Sequence, residues 1–305
     1  MNFTKPGLAV GLADSNQANN NNPSYTAMSE IEQRLKEVTE LVSLPEVYLK
    51  LRRLMDDPHS DIYDFAEVVS LDPNLSTRVL KVVNSAFFGF PEPVESISRA
   101  VNMIGIAQLH NMVLGISAIS SLKLPNDIMP LDTFWRASLF SGVLARLLGE
   151  QMKLAKSEHL FIAGLLHEIG HLVLYSKFPL QAIAAQKIAA DQGKQIHEAE
   201  MEILGCHYGD IGAMLMANWN LPDKLQILTR NQPMPANTSE FQVETTLMHL
   251  AHACARSGAT EKDEIADTPF DAEVQALTGL SQEELENSLG EARSISADME
   301  RIILA

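Results

Sequence analysis

From Ser29 onward, apolar residues recur at spacings of three and four, so that Ile31, Leu35, Val38, Leu41 and Val42 fall on one helical face. The same rhythm runs towards the C-terminus. Almost no stretch alternates apolar and polar residues between turn residues, as a half-buried strand would. The pattern predicts an all-α chain. Asp72 before Pro73 sets a capping carboxylate ahead of a proline at the first helical position, and Leu44-Pro45 and Leu221-Pro222 read as comparable starts. Ser281 with Glu284 fits a capping box that opens a final polar helix running through Leu289 towards Ile303.

The rhythm is missing before Ser29. Residues 1–28 are poor in large apolar side chains and contain the tract Asn19 to Asn22 followed by Pro23, so a disordered tail is expected. Pro125 and Pro130 bracket the best internal joint. The expected organisation is a tail over 1–28, helical subdomains over 29–125 and 126–257, and a C-terminal helical extension over 258–305. No internal repeat is evident.

Composition adds exclusions. Hydrophobic residues at 46% and charged residues at 20% are ordinary for a globular chain that folds without staples. Cys206 and Cys254 each sit in a helix-like apolar pattern without CxxC spacing, which implies neither a disulfide framework nor a zinc ribbon. A formal charge of −16 repels a phosphate backbone, so no nucleic-acid partner is expected. The most apolar stretch, Leu160 to Tyr175, is interrupted by His167, Glu168 and His171, and the N-terminus has no signal-peptide pattern. No membrane contact and a cytoplasmic location are the resulting expectations.

Three segments in order carry a family resemblance: SLPEVYLKLRRLMDDP (Ser43 to Pro58), LDPNLSTRVLKVVNSAFFGF (Leu71 to Phe90) and SISRAVNMIGIAQLHNMVLG (Ser96 to Gly115). Residue by residue, they read as structure. Leu75, Val79, Val82 and Val83 look like core, Asn84 and Gly89 look like helix ends, and Gly105 looks like a site of close helix packing. As an ordered set they resemble the N-terminal signature of HDOD (HD-related output domain) proteins. That resemblance implies an HD-like multi-helix bundle with an N-terminal helical subdomain, and a role in bacterial signal transduction.

The second half resembles the HD hydrolase core, whose active members hold a metal with a histidine, a His-Asp pair and a distant aspartate. FIAGLLHEIGHLVL (Phe161 to Leu174) sits where the His-Asp helix belongs, with His167 kept and Glu168 in place of the aspartate. Ala137 stands where the first histidine belongs, and His252 occupies the last aspartate's position. His207 and Trp219 are retained, Arg230 and Asn231 replace two adjacent histidines, and His171 replaces a common lysine. By resemblance, His167, Glu168 and His252 converge as three remaining donors, with Ala137, His171, His207 and Arg230 as further positions of the remnant site. Arg230 offers a positive charge in place of a cation. No cofactor is expected; a divalent metal could bind, and the reading is an empty or weakly occupied site.

His167-Glu168-Ile169-Gly170-His171 also satisfies H-E-x-x-H, in which two histidines one helical turn apart bind zinc beside a glutamate base. The extended zincin form fails because Leu174 takes its glycine position, and nothing marks Glu198, Glu200 or Glu202 as the missing third ligand. His249 and His252, also one turn apart, read as packing or surface more readily than as a ligand pair. The substitutions cluster at the chemistry. The expected function is therefore a non-catalytic output module that acts through a signalling protein partner. A residual metal-dependent phosphohydrolase is the alternative, and a zincin-like peptidase the remote one.

Overall fold

Where the sequence punctuates a helix, the chain turns into one. The computed structural model describes residues 44–122, 128–155, 157–257, 270 and 272–304. The expected tail, the first amphipathic stretch from Ile31 to Val42 and Pro125 lie outside the described residues. α1 (Glu46–Asp56) follows Pro45, and α2 (Ile62–Ser70) opens on a reciprocal Asp61–Asp64 capping box that sequence reading missed. α3 (Pro73–Val83) starts as expected, with the Asp72 carboxylate accepting from the Asn74 and Leu75 amides at 2.9 and 3.1 Å. Pro45 and Pro222 do not sit at the first helical position. Both lie one residue earlier, with extended ψ values of 149° and 141°.

α4 (Ile97–Ile104) and α5 (Ile106–Ser121) meet at Gly105, whose φ of +82° only glycine adopts without strain. A Cβ there would meet nothing within 4 Å, so Gly105 serves the bend and not close packing. Asn84 caps α3 as expected and also binds both the amide and the carbonyl of Val94, at 2.7 and 2.9 Å. Gly89 lies in the loop beyond, at φ +61°, and ends no helix.

After Pro130 comes α6 (Leu131–Gln151), the long central helix, which packs against α7 (Glu158–Leu166), α13 (Gln242–Arg256) and α15 (Gln282–Ile303). Between them run α8 (Ile169–Lys177), α9 (Pro179–Gln192), α10 (Ile196–Leu204), α11 (Tyr208–Asn218), α12 (Asp223–Asn231) and a 3₁₀ turn at Pro235–Asn237; α14 (Ala272–Thr278) precedes α15. Among the described residues every regular element is helical. No single helix there is long and apolar enough to cross a membrane; α4 and α5 pass only as a pair, and they are bent by 116°.

Two close approaches set the second half. A Cβ on Gly164 of α7 would lie 2.5 Å from the Gly142 Cα of α6, and one on Gly170 of α8 would lie 1.9 Å from the Tyr208 carbonyl of α11. Both glycines therefore let backbones touch. The final helix opens on the expected Ser281–Glu284 box, yet it is more than polar. Leu285, Leu289, Ala292, Ile295, Met299 and Ile303 form a buried stripe at spacings of three and four, laid against α6 and α3. Arg136 of α6 pairs with Glu300 at 2.8 Å beside it. Cys254 is buried within α13 and its thiol is pushed up to about 12 by burial, whereas Cys206 lies between α10 and α11 outside any helix.

Two outcomes test this packing. Gly170→Ala should destabilise the protein by about 3 kcal/mol in urea titration, because the added methyl meets backbone that cannot rotate away. His110, buried on α5 with its ring 4.9 Å from that of Tyr48, is held at a pKa of about 4 by burial and by Arg52, with Asp56 opposing. Its folded pKa lies below the unfolded value, so the stability tied to its neutral form is complete above about pH 6.5 and is lost as pH falls towards 4, by roughly 2–3 kcal/mol. His110→Gln should flatten that part of the stability–pH curve.

Candidate metal centre and its cavity

The helix carrying the histidine motif is broken inside the motif. α7 ends at Leu166, His167 and Glu168 form a turn, and α8 begins at Ile169. Glu168 takes φ −100° and ψ 8°, outside the helical region, which turns its side chain towards α13. The donor atoms of His167, Glu168 and His252 lie within 4.8 Å of one another. The three donors expected from the resemblance thus converge, and His252 enters from α13.

His167 is fully buried, and its Nδ1 donates to the Gly164 carbonyl at 2.6 Å. A carbonyl only accepts, so the proton is on Nδ1 and the Nε2 lone pair faces the cluster. That Nε2 lies 2.8 Å from His252 Nδ1, and Glu168 Oε2 lies 3.8 Å from each nitrogen. His167 Nε2, His252 Nδ1 and Glu168 Oε2 are the atoms that would hold a metal ion here. Two neutral imidazoles, one with its tautomer fixed by a backbone carbonyl, and one carboxylate make a donor set that fits a divalent transition metal.

Electrostatics agree with the geometry. Burial lowers His167, and it pushes His252 down to about 3, so both rings are neutral. Burial alone would raise Glu168, but the hydrogen bond and charge of the His171 imidazolium hold its carboxyl well below the usual carboxylate range. Ala137 lies half-buried on α6 and brings only a methyl group.

His171 stands elsewhere. Its Nδ1 faces Glu168 Oε1 and its Nε2 faces Glu200 Oε1, both at 3.1 Å. Carboxylates accept, so both nitrogens donate and the ring is an imidazolium. Burial opposes that charge, but Tyr175 and the two glutamates raise its pKa well above the ordinary value. Its ring stacks on Tyr208 at 4.0 Å and on Tyr175 at 5.3 Å. This arrangement differs from a zincin pair: the helix breaks between the two histidines of the motif, and His171 sits between Glu168 and Glu200, outside the three-donor group.

Arg230 also differs from expectation. It reaches Asp210 at 3.6 Å on the surface, and the arginine near the cluster is Arg256, which depresses both His167 and His252. His207 caps α11 by accepting from the Gly209 amide at 3.1 Å and is not among the three donors. Of the pair on α13, His252 joins the cluster and His249 donates to the Gln232 carbonyl at 2.9 Å.

Glu168, His171 and His252 open onto a cavity of about 820 Å³, also lined by Lys194, His197, His249 and Arg256. Sequence reading missed His197, Arg256 and the role of Glu200. A signal for Glu200 exists: Ile196, Glu200 and Leu204 are spaced by four, which sets a carboxylate within the apolar stripe of α10.

Residues 41–235 match the HDOD domain family. This chain belongs to the HDOD family. A 30% identical uncharacterized protein of Treponema pallidum (strain Nichols) aligns over 233 residues, 75% of this chain and 45% of that protein, so the chain spans about half the length of that curated relative. A candidate phosphohydrolase from Shewanella amazonensis SB2B superposes with a TM-score of 0.74 at 23% identity, covering 90% of this chain and 98% of that one. An HDOD domain protein from Geobacter sulfurreducens gives 0.67 at 19% identity over 90% and 100%. A candidate signal transduction protein from Marinobacter aquaeolei VT8 gives 0.66 at 22% identity over 94% and 67%. At these identities the three solved structures share the fold, and the site must be argued from its own residues.

The buried charge chain gives a direct test. His171→Leu removes the one cation between two buried glutamates and should cost about 3–5 kcal/mol in urea unfolding. The triple change His171→Leu, Glu168→Gln, Glu200→Gln should recover most of that loss, because it leaves no unpaired charge behind.

Proposed function

We propose that this HDOD protein is a non-hydrolytic signal-transduction module that acts by contacting a protein partner. The observation that carries this reading is the donor set: where the HD resemblance calls for a first histidine, α6 offers the methyl of Ala137, and among the described residues the protein donors are His167, Glu168 and His252. A divalent ion held by those three would supply Lewis-acid polarisation and an acidified water. The residues around them do less than hydrolysis asks. His167 and His252 are neutral ligand-type rings, and Glu168 is tied by His171, so no group in the cluster is poised to give a proton to a leaving oxygen. A protein partner, rather than a nucleic acid, accords with the net charge of −16.

A second reading rests on the cavity. Among the described residues its lining combines Arg256 and the His171 imidazolium with one carboxylate, Glu168, and with Lys194, which is paired to Glu202, and its volume suits a small ligand. It supports a residual phosphohydrolase with altered ligands.

One assay separates the two. The full chain, supplied in turn with manganese, iron and zinc, is offered nucleotides, cyclic dinucleotides and a chromogenic phosphodiester. Turnover no higher than that of His167→Ala is the expected result, and metal-dependent turnover that His167→Ala abolishes would sink the non-hydrolytic reading. Cross-linking in the native cell, followed by identification of the captured protein, should return a signalling component; persistent capture of nucleic acid at physiological salt would count against a protein partner.

A further inference from the structure

Beyond the three donors lies a second layer of contacts that neither the resemblance nor the family match assigns. Glu168 uses its two oxygens differently. Oε2 faces the two histidine nitrogens, while Oε1 accepts from His171 Nδ1. His171 is gripped on its far side by Glu200 Oε1, and the other oxygen of Glu200 accepts from the Tyr208 amide at 2.8 Å. Tyr208 stands at the start of α11, which touches α8 at Gly170, so the chain of bonds ends on backbone fixed by close helix packing. His171 stacks with both Tyr175 and Tyr208, and its two nitrogens are each held by a glutamate. Every member of the chain is buried, with Glu200 1% exposed.

We propose that His171 and Glu200 are positioning residues that hold Glu168 as a one-oxygen ligand, making His167, Glu168 and His252 a site for a single borderline transition-metal ion such as zinc or cobalt, and not for magnesium. The physical reason has two parts. A free glutamate has one more rotatable bond than an aspartate and would swing between one- and two-oxygen binding; the hydrogen bond on Oε1 removes that freedom. Two imidazole nitrogens and one oxygen suit borderline ions, whereas magnesium asks for an octahedron of oxygens. The His167 Nδ1–Gly164 bond fixes the first ligand in the same manner. This inference concerns binding alone and holds whether or not the site turns over a substrate.

The test is a cobalt titration of the full chain, purified without a histidine tag, followed by visible absorption and by competition with zinc and magnesium. The wild type should bind one equivalent of cobalt, with zinc displacing it and millimolar magnesium leaving it in place. Glu200→Gln cannot accept from both His171 and the Tyr208 amide; it should weaken cobalt binding by about 10–100-fold and shift the visible bands as Glu168 changes its mode of ligation. A purely scaffolding role for Glu200 would lower the melting temperature without moving those bands. His252→Ala, which removes a half-buried donor, should abolish binding and keep the far-ultraviolet circular dichroism. If Glu200→Gln fails to fold, Glu200→Asp, too short to span both partners, takes its place with the same expected loss. Failure of the wild type to bind cobalt or zinc would overturn the site. Displacement by magnesium would overturn the ion class, and an unchanged affinity and spectrum in the Glu200 variant would overturn the positioning role. Phosphodiester hydrolysis by the cobalt-loaded chain would contradict the non-hydrolytic function and leave this inference standing.

Discussion

A carboxylate buried among helices must be neutralised where it stands, because water is not there to do it, and that constraint organises this half of the molecule. Glu168 and Glu200 are both buried, and one imidazolium, His171, stands between them. Two further imidazoles face the other side of Glu168. The arrangement draws on several elements at once: α7 and α8 supply the turn, α10 the second carboxylate, α11 the stacking ring and the anchoring amide, and α13 the last histidine. Removing only one member of the pairing would leave an uncompensated charge among these packed helices.

The same constraint bears on the departures from the HD pattern that the sequence resemblance implies. An aspartate replaced by Glu168 moves the carboxylate outward by one methylene; an aspartate replaced by His252 removes a negative charge from the cluster. A lysine replaced by His171 keeps a cation but makes it planar, able to donate in two opposite directions and to stack between tyrosines. As they stand, Glu168, His171 and His252 each face a partner within the buried cluster.

Much of this was legible in the sequence wherever a local rule decides. The capping signals at Asp72 and Ser281 depend on neighbours within four residues, and the structure places them as read. The convergence of His167, Glu168 and His252 was also legible, but only through the resemblance of the second half to the HD core, since the turn before α8 and the helix α13 are far apart in the chain. Failures came where a long-range contact overrides local spacing. H-E-x-x-H promises one helical face, and the close approach of α8 to α11 goes with a break in that helix. Glycine gave two opposite lessons: Gly105 supplies a bend where packing was expected, and Gly170 supplies a close approach that sequence reading left unremarked. Arg230 and Arg256 are equally plausible cations on paper, and only the fold decides which of them faces the cluster.

Gly164 joins two jobs that are usually separate. Its missing side chain lets α6 press against α7 at Gly142, and its carbonyl holds His167 Nδ1. The ring that presents a lone pair to the cluster is therefore bolted to the fulcrum on which the two longest-packed helices of this half cross. The face of α6 beyond this crossing also carries the last helix. One glycine thus serves as both the contact point of two helices and the anchor of a single imidazole.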